Sequence, residues 1–171
     1  QPWVIPVAMG LLAPDGRALP LQLEGEAAPV GDERVLVLDA ARADYTFVGV
    51  DAEPVPSLLR GFSAPVLLDA QLGDAQLLTL LAHDRDPFNR WEAGQQLALQ
   101  RLLAAVRSGD APALDAPYLD AMRRLLRDPT LDAAFKELAL TLPSETYLGE
   151  QLGHDIDPQR VHAARETMRL Q

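Results

Sequence analysis

Cysteine is missing from all 171 residues, so neither a disulfide nor a thiolate-bound zinc can form, and a reducing, cytoplasmic compartment suits the chain. Positive charge is scarce. Lys and Arg total 15 against 25 Asp and Glu, a net charge of -10. Such a surface repels phosphate backbones and anionic lipid, which argues against nucleic acid and membrane as partners. No uninterrupted apolar run of about 18 residues is available to span a bilayer, and no charged start leads into the apolar core of a signal peptide. What is present is ample core material: 48% of the residues are apolar, enough for one ordinary domain or two small ones. The chain opens on Gln1 rather than Met, and WVIPVAMGLL (residues 3 to 12) already reads as a strand in progress. A piece of something longer is therefore expected.

The grammar of the sequence changes at Gly73, and domains at 1–73 and 74–171 are expected. In the first, short β-rich runs alternate with turn signals. WVIPVAMGLL and ALPLQL flank Pro14-Asp15-Gly16-Arg17, where proline presets φ and glycine tolerates a positive one, so the two runs predict a hairpin. RVLVLD (34 to 39), DYTFVGV (44 to 50) and APVLLDAQL (64 to 72) read as three further strands. Strands without an intervening helix point to an antiparallel sheet or sandwich. Beyond Gly73 the apolar period becomes helical. Leu77, Leu78, Leu80 and Leu81 open a helix that Asp74 could cap; Phe88, Trp91, Gln95, Leu99, Leu102, Leu103 and Val106 mark a second. Asp86-Pro87, Asp128-Pro129 and Asp157-Pro158 each offer a side-chain acceptor at the N-cap and a proline at the first helical position. Asp115-Ala116-Pro117 leads into Leu119, Met122, Leu125 and Leu126 on one face, and Ser144-Glu145 marks one more start. About six short-linked helices are predicted, packing as antiparallel pairs in a solenoid-like array.

Chemistry is harder to find. The histidines are His83, His154 and His162, and no His-Glu-x-x-His occurs. His154, Asp155, Asp157, His162 and Glu166 could be imagined as a carboxylate-imidazole metal site, but their spacing is not specific. His154 at a helix end and a His162–Glu166 surface pair at i and i+4 account for the same residues. Ser57, Ser63, Ser108 and Ser144 lack the Gly-x-Ser-x-Gly elbow, and the glycines are scattered rather than gathered into a phosphate loop. Asp84/Asp86 and Asp155/Asp157 read as turn formers and caps, Phe88 and Trp91 as core, and Arg123, Arg124 and Arg127 as a solvated helix face.

At YTFVGVDAEPVPSLLRGFSAPV (residues 45 to 66) the sequence resembles the bacterial aminopeptidase N family, where a small β-sandwich hands over to a C-terminal helical domain. Pro54-Val55-Pro56, Ser57-Leu58-Leu59 and Phe62-Ser63-Ala64-Pro65-Val66 carry the resemblance. AHDRDPFNRWEAGQ (82 to 95), LTLPSETYL (140 to 148) and DIDPQRVHAARETMR (155 to 169) extend it over nearly the whole chain. The resemblance implies an α+β fold by segregation: an antiparallel β-sandwich, Ig-like and incomplete, followed by an all-α, solenoid-like helical array. It also implies a parent that is a zinc metallopeptidase removing N-terminal residues from peptides. Such a parent holds its zinc by His-Glu-x-x-His and a further Glu, and recognises the free amine by a Gly-x-Met-Glu-Asn stretch, in a catalytic domain upstream of Gln1. Neither motif occurs here. No catalytic, cofactor-binding or metal-binding residue is therefore assigned, zinc is expected only in the parent, and the chain alone is expected to be inactive.

The expected partner is the upstream catalytic domain, with peptides reached only through the parent and self-association expected through a truncated sheet edge. A free-standing interaction module and an autonomous hydrolase using His154, Asp157, His162 and Glu166 are the alternatives. Within EPVPSLLRGFSAPV (53 to 66), Pro54 and Pro56 predict an edge or crossover segment, and Leu58, Leu59 and Phe62 anchors to the core. Ser57 and Ser63 are expected to bond to backbone or turns, and Arg60 has no assigned role.

Overall fold

The structure, a computed structural model, describes residues 3–153 and 157–171. The chain divides into two compact units, residues 1–90 and 91–171.

The first unit is built on β1 (Ile5–Leu12), which pairs antiparallel with β2 (Ala18–Leu19), β3 (Arg34–Leu38) and β4 (Val55–Leu58). Hydrogen-bond parity sorts these partners onto two edges. Ala13 N donates to Arg17 O (2.8 Å), in step with Leu11 opposite Leu19, so odd-numbered residues face β2. Ala8 N donates instead to the Ser63 hydroxyl (2.9 Å), so even-numbered residues face the other way. β4 lies on that even side. Gly10 stands opposite Ser57 and Leu12 opposite Val55, while Pro56 faces Leu11, at a position where no donor is required. β3 shares the odd side with β2, running from Leu38 opposite Ile5 to Arg34 opposite Met9. The predicted hairpin is present, its turn closed by Gly16 N to Ala13 O (2.9 Å) and Arg17 N to Asp15 Oδ1 (3.0 Å).

Opposite this sheet runs a less regular layer. Leu21 N bonds Gly31 O (2.7 Å), Glu24 N bonds Thr46 O (2.9 Å) and Val48 N bonds Gln22 O (2.9 Å) around an isolated Leu23–Phe47 bridge. Between the layers Met9, Leu11, Ala13, Leu19 and Leu21 are buried, with Leu36, Phe47, Val50, Ala52 and Leu58 packed against them. The expected strand at 44–50 is thus reduced to a bridge. The expected strand at 64–72 does not form at all: its residues are in no strand, and Leu67 is fully exposed. A β-former becomes a strand only beside an edge with free donors. The stretch of β1 not covered by β4 is closed by Pro6, which has no N–H, and by the Ser63 hydroxyl on Ala8 N. β4 itself is an edge strand, as Pro54 just before it and Pro56 within it predict.

Among the described residues six α-helices follow, where about six were expected: α1 (Asp74–His83), α2 (Pro87–Ser108), α3 (Ala116–Arg127), α4 (Ala133–Leu140), α5 (Glu145–Leu152) and α6 (Pro158–Leu170). Their caps are mostly those anticipated. Asp86 Oδ1 accepts from Asn89 N (3.0 Å), Asp115 Oδ1 from Tyr118 N (2.9 Å), Ser144 Oγ from Tyr147 N (3.1 Å) and Asp157 Oδ1 from Gln159 N (2.9 Å). Two differ. Asp74 is already the first residue of α1, and the N-cap is Gly73, whose N–H is taken by Gln76 Oε1 (3.0 Å). Asp128-Pro129 ends α3 instead of starting a helix. Asp128 spends its carboxylate on Thr130 N (2.9 Å) and Thr130 Oγ1 (2.6 Å), and Asp132 caps α4 through Phe135 N (2.8 Å).

In the second unit the buried face of α2 is Ala93, Leu97, Ala98, Leu102, Ala105 and Val106, with Leu99 and Leu103 only half-buried. On α3 it is Tyr118, Ala121 and Leu125, while Leu126 is exposed. Leu148 of α5 and Val161, Ala164 and Met168 of α6 complete the buried set with Ala139 of α4. No helix of the described residues is long and apolar enough to cross a membrane.

Candidate functional site

The densest buried polar cluster of the first unit sits where β4 ends. Leu59 and Phe62 are held in the left-handed region (φ 55° and 54°), with Gly61 at φ 59° between them. Glycine adopts this conformation freely. For leucine and phenylalanine it is strained by about 1 kcal/mol or more, which the surroundings must hold in place. The turn throws Arg60 back across β1, where its guanidinium lies flat over Gly10. A β-carbon at Gly10 would stand 2.5 Å from Arg60 Cζ.

Arg60 is 9% exposed and spends each of its nitrogens. Nε donates to Ser57 Oγ (2.8 Å), Nη2 to Asp84 Oδ1 (3.3 Å) and Nη1 to Glu33 Oε2 (3.4 Å). Asp84, just after α1, is buried, and its Oδ1 also accepts from Asp86 N (3.0 Å); its Oδ2 is buried without a hydrogen-bond partner. Asp86 Oδ2 accepts from Gly61 N (2.8 Å), and Asn89 Nδ2 donates to Ser57 Oγ (2.9 Å) and Leu58 O (3.1 Å). Phe62 is exposed but lies against Phe88, ring centroids 4.2 Å apart. The segment 57–62 is thereby clamped to the corner 84–89 by charge-assisted bonds. Apart from Asp84 Oδ2, the donors and acceptors of the cluster are engaged with one another and with the backbone of the two segments.

This cluster corrects the reading of the stretch. Arg60, given no role in the sequence, is its centre. Ser63 bonds to backbone as expected, but Ser57 accepts from two side chains. Phe62 is no core anchor, because the left-handed turn points it outward. Asp84 and Asp86 do shape a turn and a helix start, and they also hold the clamp.

The other candidates are dispersed. His83 closes α1, its ring packed on Gly16, where an added β-carbon would come within 2.1 Å. His162 does not pair with Glu166; its Nδ1 lies 2.8 Å from Glu145 Oε1, while Glu166 binds Arg169 (2.7 Å). The i+4 spacing lost to a better partner on the neighbouring helix. Asp157 is a cap, and His154 and Asp155 lie outside the described residues. Arg123 bonds Asp120 (2.9 Å) on an exposed face, and Arg124 and Arg127 are exposed beside it. Ser108 turns back to Ala105 O (3.5 Å) and Ser144 is a cap. Among the described residues no group of three His, Cys, Asp or Glu could hold a metal, so the donors present do not fit zinc.

A second buried arginine organises the other unit. Arg101 donates from Nη2 to Asp115 Oδ2 (2.8 Å) and from Nη1 to Leu97 O (3.3 Å), with Cζ 4.8 Å from the centre of the Tyr118 ring. The Tyr118 amide and the Arg101 guanidinium hold the Asp115 carboxyl below the usual range, and burial pushes the Tyr118 phenol up. Arg34 does the same to Glu26 through paired bonds (2.9 and 3.0 Å), and Arg169 to Glu166. All three carboxylates are depressed in the folded state, so they contribute stability above the unfolded carboxylate range, and that stability is lost as pH falls through their folded values. Thermal melts should therefore hold level near neutrality and drop steadily on acidification from about pH 4.5 downward. Melts that rise there would contradict the assignment.

Comparison with known proteins places the whole chain. Residues 1–71 match the family described as "Domain of unknown function (DUF3458) Ig-like fold", and residues 74–171 match "Domain of unknown function (DUF3458_C) ARM repeats". Aminopeptidase N of Caulobacter vibrioides is 38% identical over 162 residues, covering 95% of this chain and 17% of that protein. Aminopeptidase N of Escherichia coli is 38% identical over 173 residues, covering 98% of this chain and 19% of that protein. Among solved structures, Legionella pneumophila aminopeptidase A in complex with aspartic acid superposes with a TM-score of 0.69 at 27% identity, over 96% of this chain and 18% of that one.

Proposed function

Because the chain belongs to the aminopeptidase N family, as the stretch in which an Ig-like domain leads into ARM repeats, we propose that it is a non-catalytic structural portion of a zinc-dependent aminopeptidase that removes N-terminal residues from peptides. The observation that carries this reading is the lopsided coverage: 95% to 98% of this chain aligns with 17% to 19% of each aminopeptidase N. The β part, residues 1–73, acts as a spacer, and the helices from 74 onward begin a helical wall; the family boundaries at 71 and 74 support that division. The partner is the catalytic domain of the parent, which holds the zinc and meets the peptide. The absence of cysteine favours a cytoplasmic parent.

The chain supplied with zinc is expected to release no chromophore from alanine or leucine p-nitroanilide above a buffer blank. Turnover that survives repurification and is abolished by a chelator would overturn the proposal.

A further inference from the structure

Between Ala64 and the N-cap of α1 the chain runs as a strap, residues 65–73, that belongs to no helix or strand. Pro65, Val66, Leu67, Leu68 and Asp69 are all exposed, Leu67 fully so. Among the described residues no backbone hydrogen bond ties 67–72 to the backbone of the rest of the chain, yet both ends of the strap are fixed. Upstream, Ser63 Oγ accepts from Ala8 N (2.9 Å), Ala64 is buried and Val66 N donates to Ala64 O (3.0 Å). Downstream, Gly73 N donates to Gln76 Oε1 (3.0 Å) and Leu77 is buried. The cause lies inside the unit. Pro6 and Ser63 close the stretch of β1 that the strap would need, and Gln71 stands in the left-handed region (φ 49°), so the strap joins no sheet.

We propose that the Leu67–Leu68 bond is a cleavage site for an endopeptidase that selects aliphatic side chains, and that the cut leaves the two pieces joined. A protease takes its substrate as an extended segment, so it cuts where backbone can leave the fold without breaking hydrogen bonds. The strap meets that condition and presents leucine on both sides of the bond. Leu126 and Leu138 are exposed as well, but they lie within α3 and α4, where a cut first requires local unfolding. The reaction adds one water across the peptide bond: the hydroxyl goes to the Leu67 carbonyl carbon and the proton to the Leu68 nitrogen. What then holds the pieces is the arginine clamp. Segment 57–62 lies upstream of the cut and the corner 84–89 downstream. Arg60 to Asp84 (3.3 Å), Gly61 N to Asp86 (2.8 Å) and Asn89 to Ser57 and Leu58 (2.9 and 3.1 Å) all bridge it. The downstream piece also carries the buried Leu77, Leu80 and Leu81 of α1 and the His83 ring packed on Gly16. Both sides of the clamp belong to the first unit. The inference does not rest on the aminopeptidase reading.

Brief digestion of the folded chain with subtilisin tests both halves of the proposal. By mass, the first internal cut should give residues 1–67 and 68–171, and the two should elute together from a sizing column in native buffer and apart in urea. Leu67→Ser combined with Leu68→Pro, at exposed positions, should slow that cut at least about tenfold while leaving the circular dichroism spectrum unchanged. In the nicked protein Asn89→Ala removes two hydrogen bonds that cross the cut and should weaken the association of the pieces by about tenfold, read by dilution. A first internal cut elsewhere, a double variant cut as fast as the unmodified chain, pieces that part in native buffer, or an association indifferent to Asn89→Ala would each overturn the proposal.

Discussion

Replacing Arg60 with methionine is expected to destabilise the first unit by about 3 to 5 kcal/mol, a large share of the stability of any domain this size. The reason lies less in the lost attraction than in what is left behind. The Asp84 side chain is fully buried, one of its oxygens already has no hydrogen-bond partner, and the other would keep only the Asp86 amide. A buried carboxylate without its cation must either remain uncompensated or take up a proton. Ser57 would lose the Arg60 Nε donor as well (2.8 Å), and the strained turn at Leu59 and Phe62 would lose its inner restraint. Urea unfolding followed by hydrogen exchange of the β1 and β4 amides would measure the loss. Pairing the change with Asp84→Asn removes the stranded charge and should recover about half of it. If the single variant costs under about 0.5 kcal/mol, the Arg60 cluster does not hold this end of the sheet.

Gly10→Ala tests the same geometry from the opposite side. The backbone of Gly10 lies within β1 and is not in the left-handed region, so alanine is conformationally acceptable there and would ordinarily gain about 0.5 to 1 kcal/mol over glycine. The added carbon would instead meet the guanidinium at 2.5 Å, forcing Arg60 off Asp84 or bending the strand, at a cost of about 1 to 3 kcal/mol. In an Arg60→Ala background that contact no longer exists, so the same substitution should turn neutral or stabilising. A double-mutant cycle reads the reversal directly. A penalty that persists without Arg60 would locate the constraint in the sheet, not in the guanidinium.

These two residues show where local reading stops. Asp86-Pro87, Asp115-Ala116-Pro117 and Asp157-Pro158 announce helix starts because a cap bonds an amide two or three residues away and needs nothing from the rest of the fold. The Pro14–Arg17 hairpin is legible for the same reason. Asp128-Pro129 misleads, because a side chain that can cap a helix can equally close a turn, and Thr130 offered both an amide and a hydroxyl. APVLLDAQL carries every local sign of a strand, but strands are made in pairs, and Ser63 and Pro6 had already closed the uncovered stretch of β1. His162 found Glu145, seventeen positions away, before Glu166. Nothing in the sequence links Arg60 to Asp84 or to Gly10, since the three meet only after a left-handed turn that leucine and phenylalanine do not adopt by preference.

By itself, then, the sequence determined the segregation into β then α, the number of helices and most of their starts, and membership in the aminopeptidase N family, all of which rest on contacts within a few residues or on the pattern of the residues themselves. Tertiary structure alone decided which β-formers became strands, which edge of the sheet stays open, and that a buried arginine joins the end of β4 to the turn just after α1. Those outcomes depend on which donors and acceptors remain free once distant segments meet, and a buried charge takes the partner that packing brings to it.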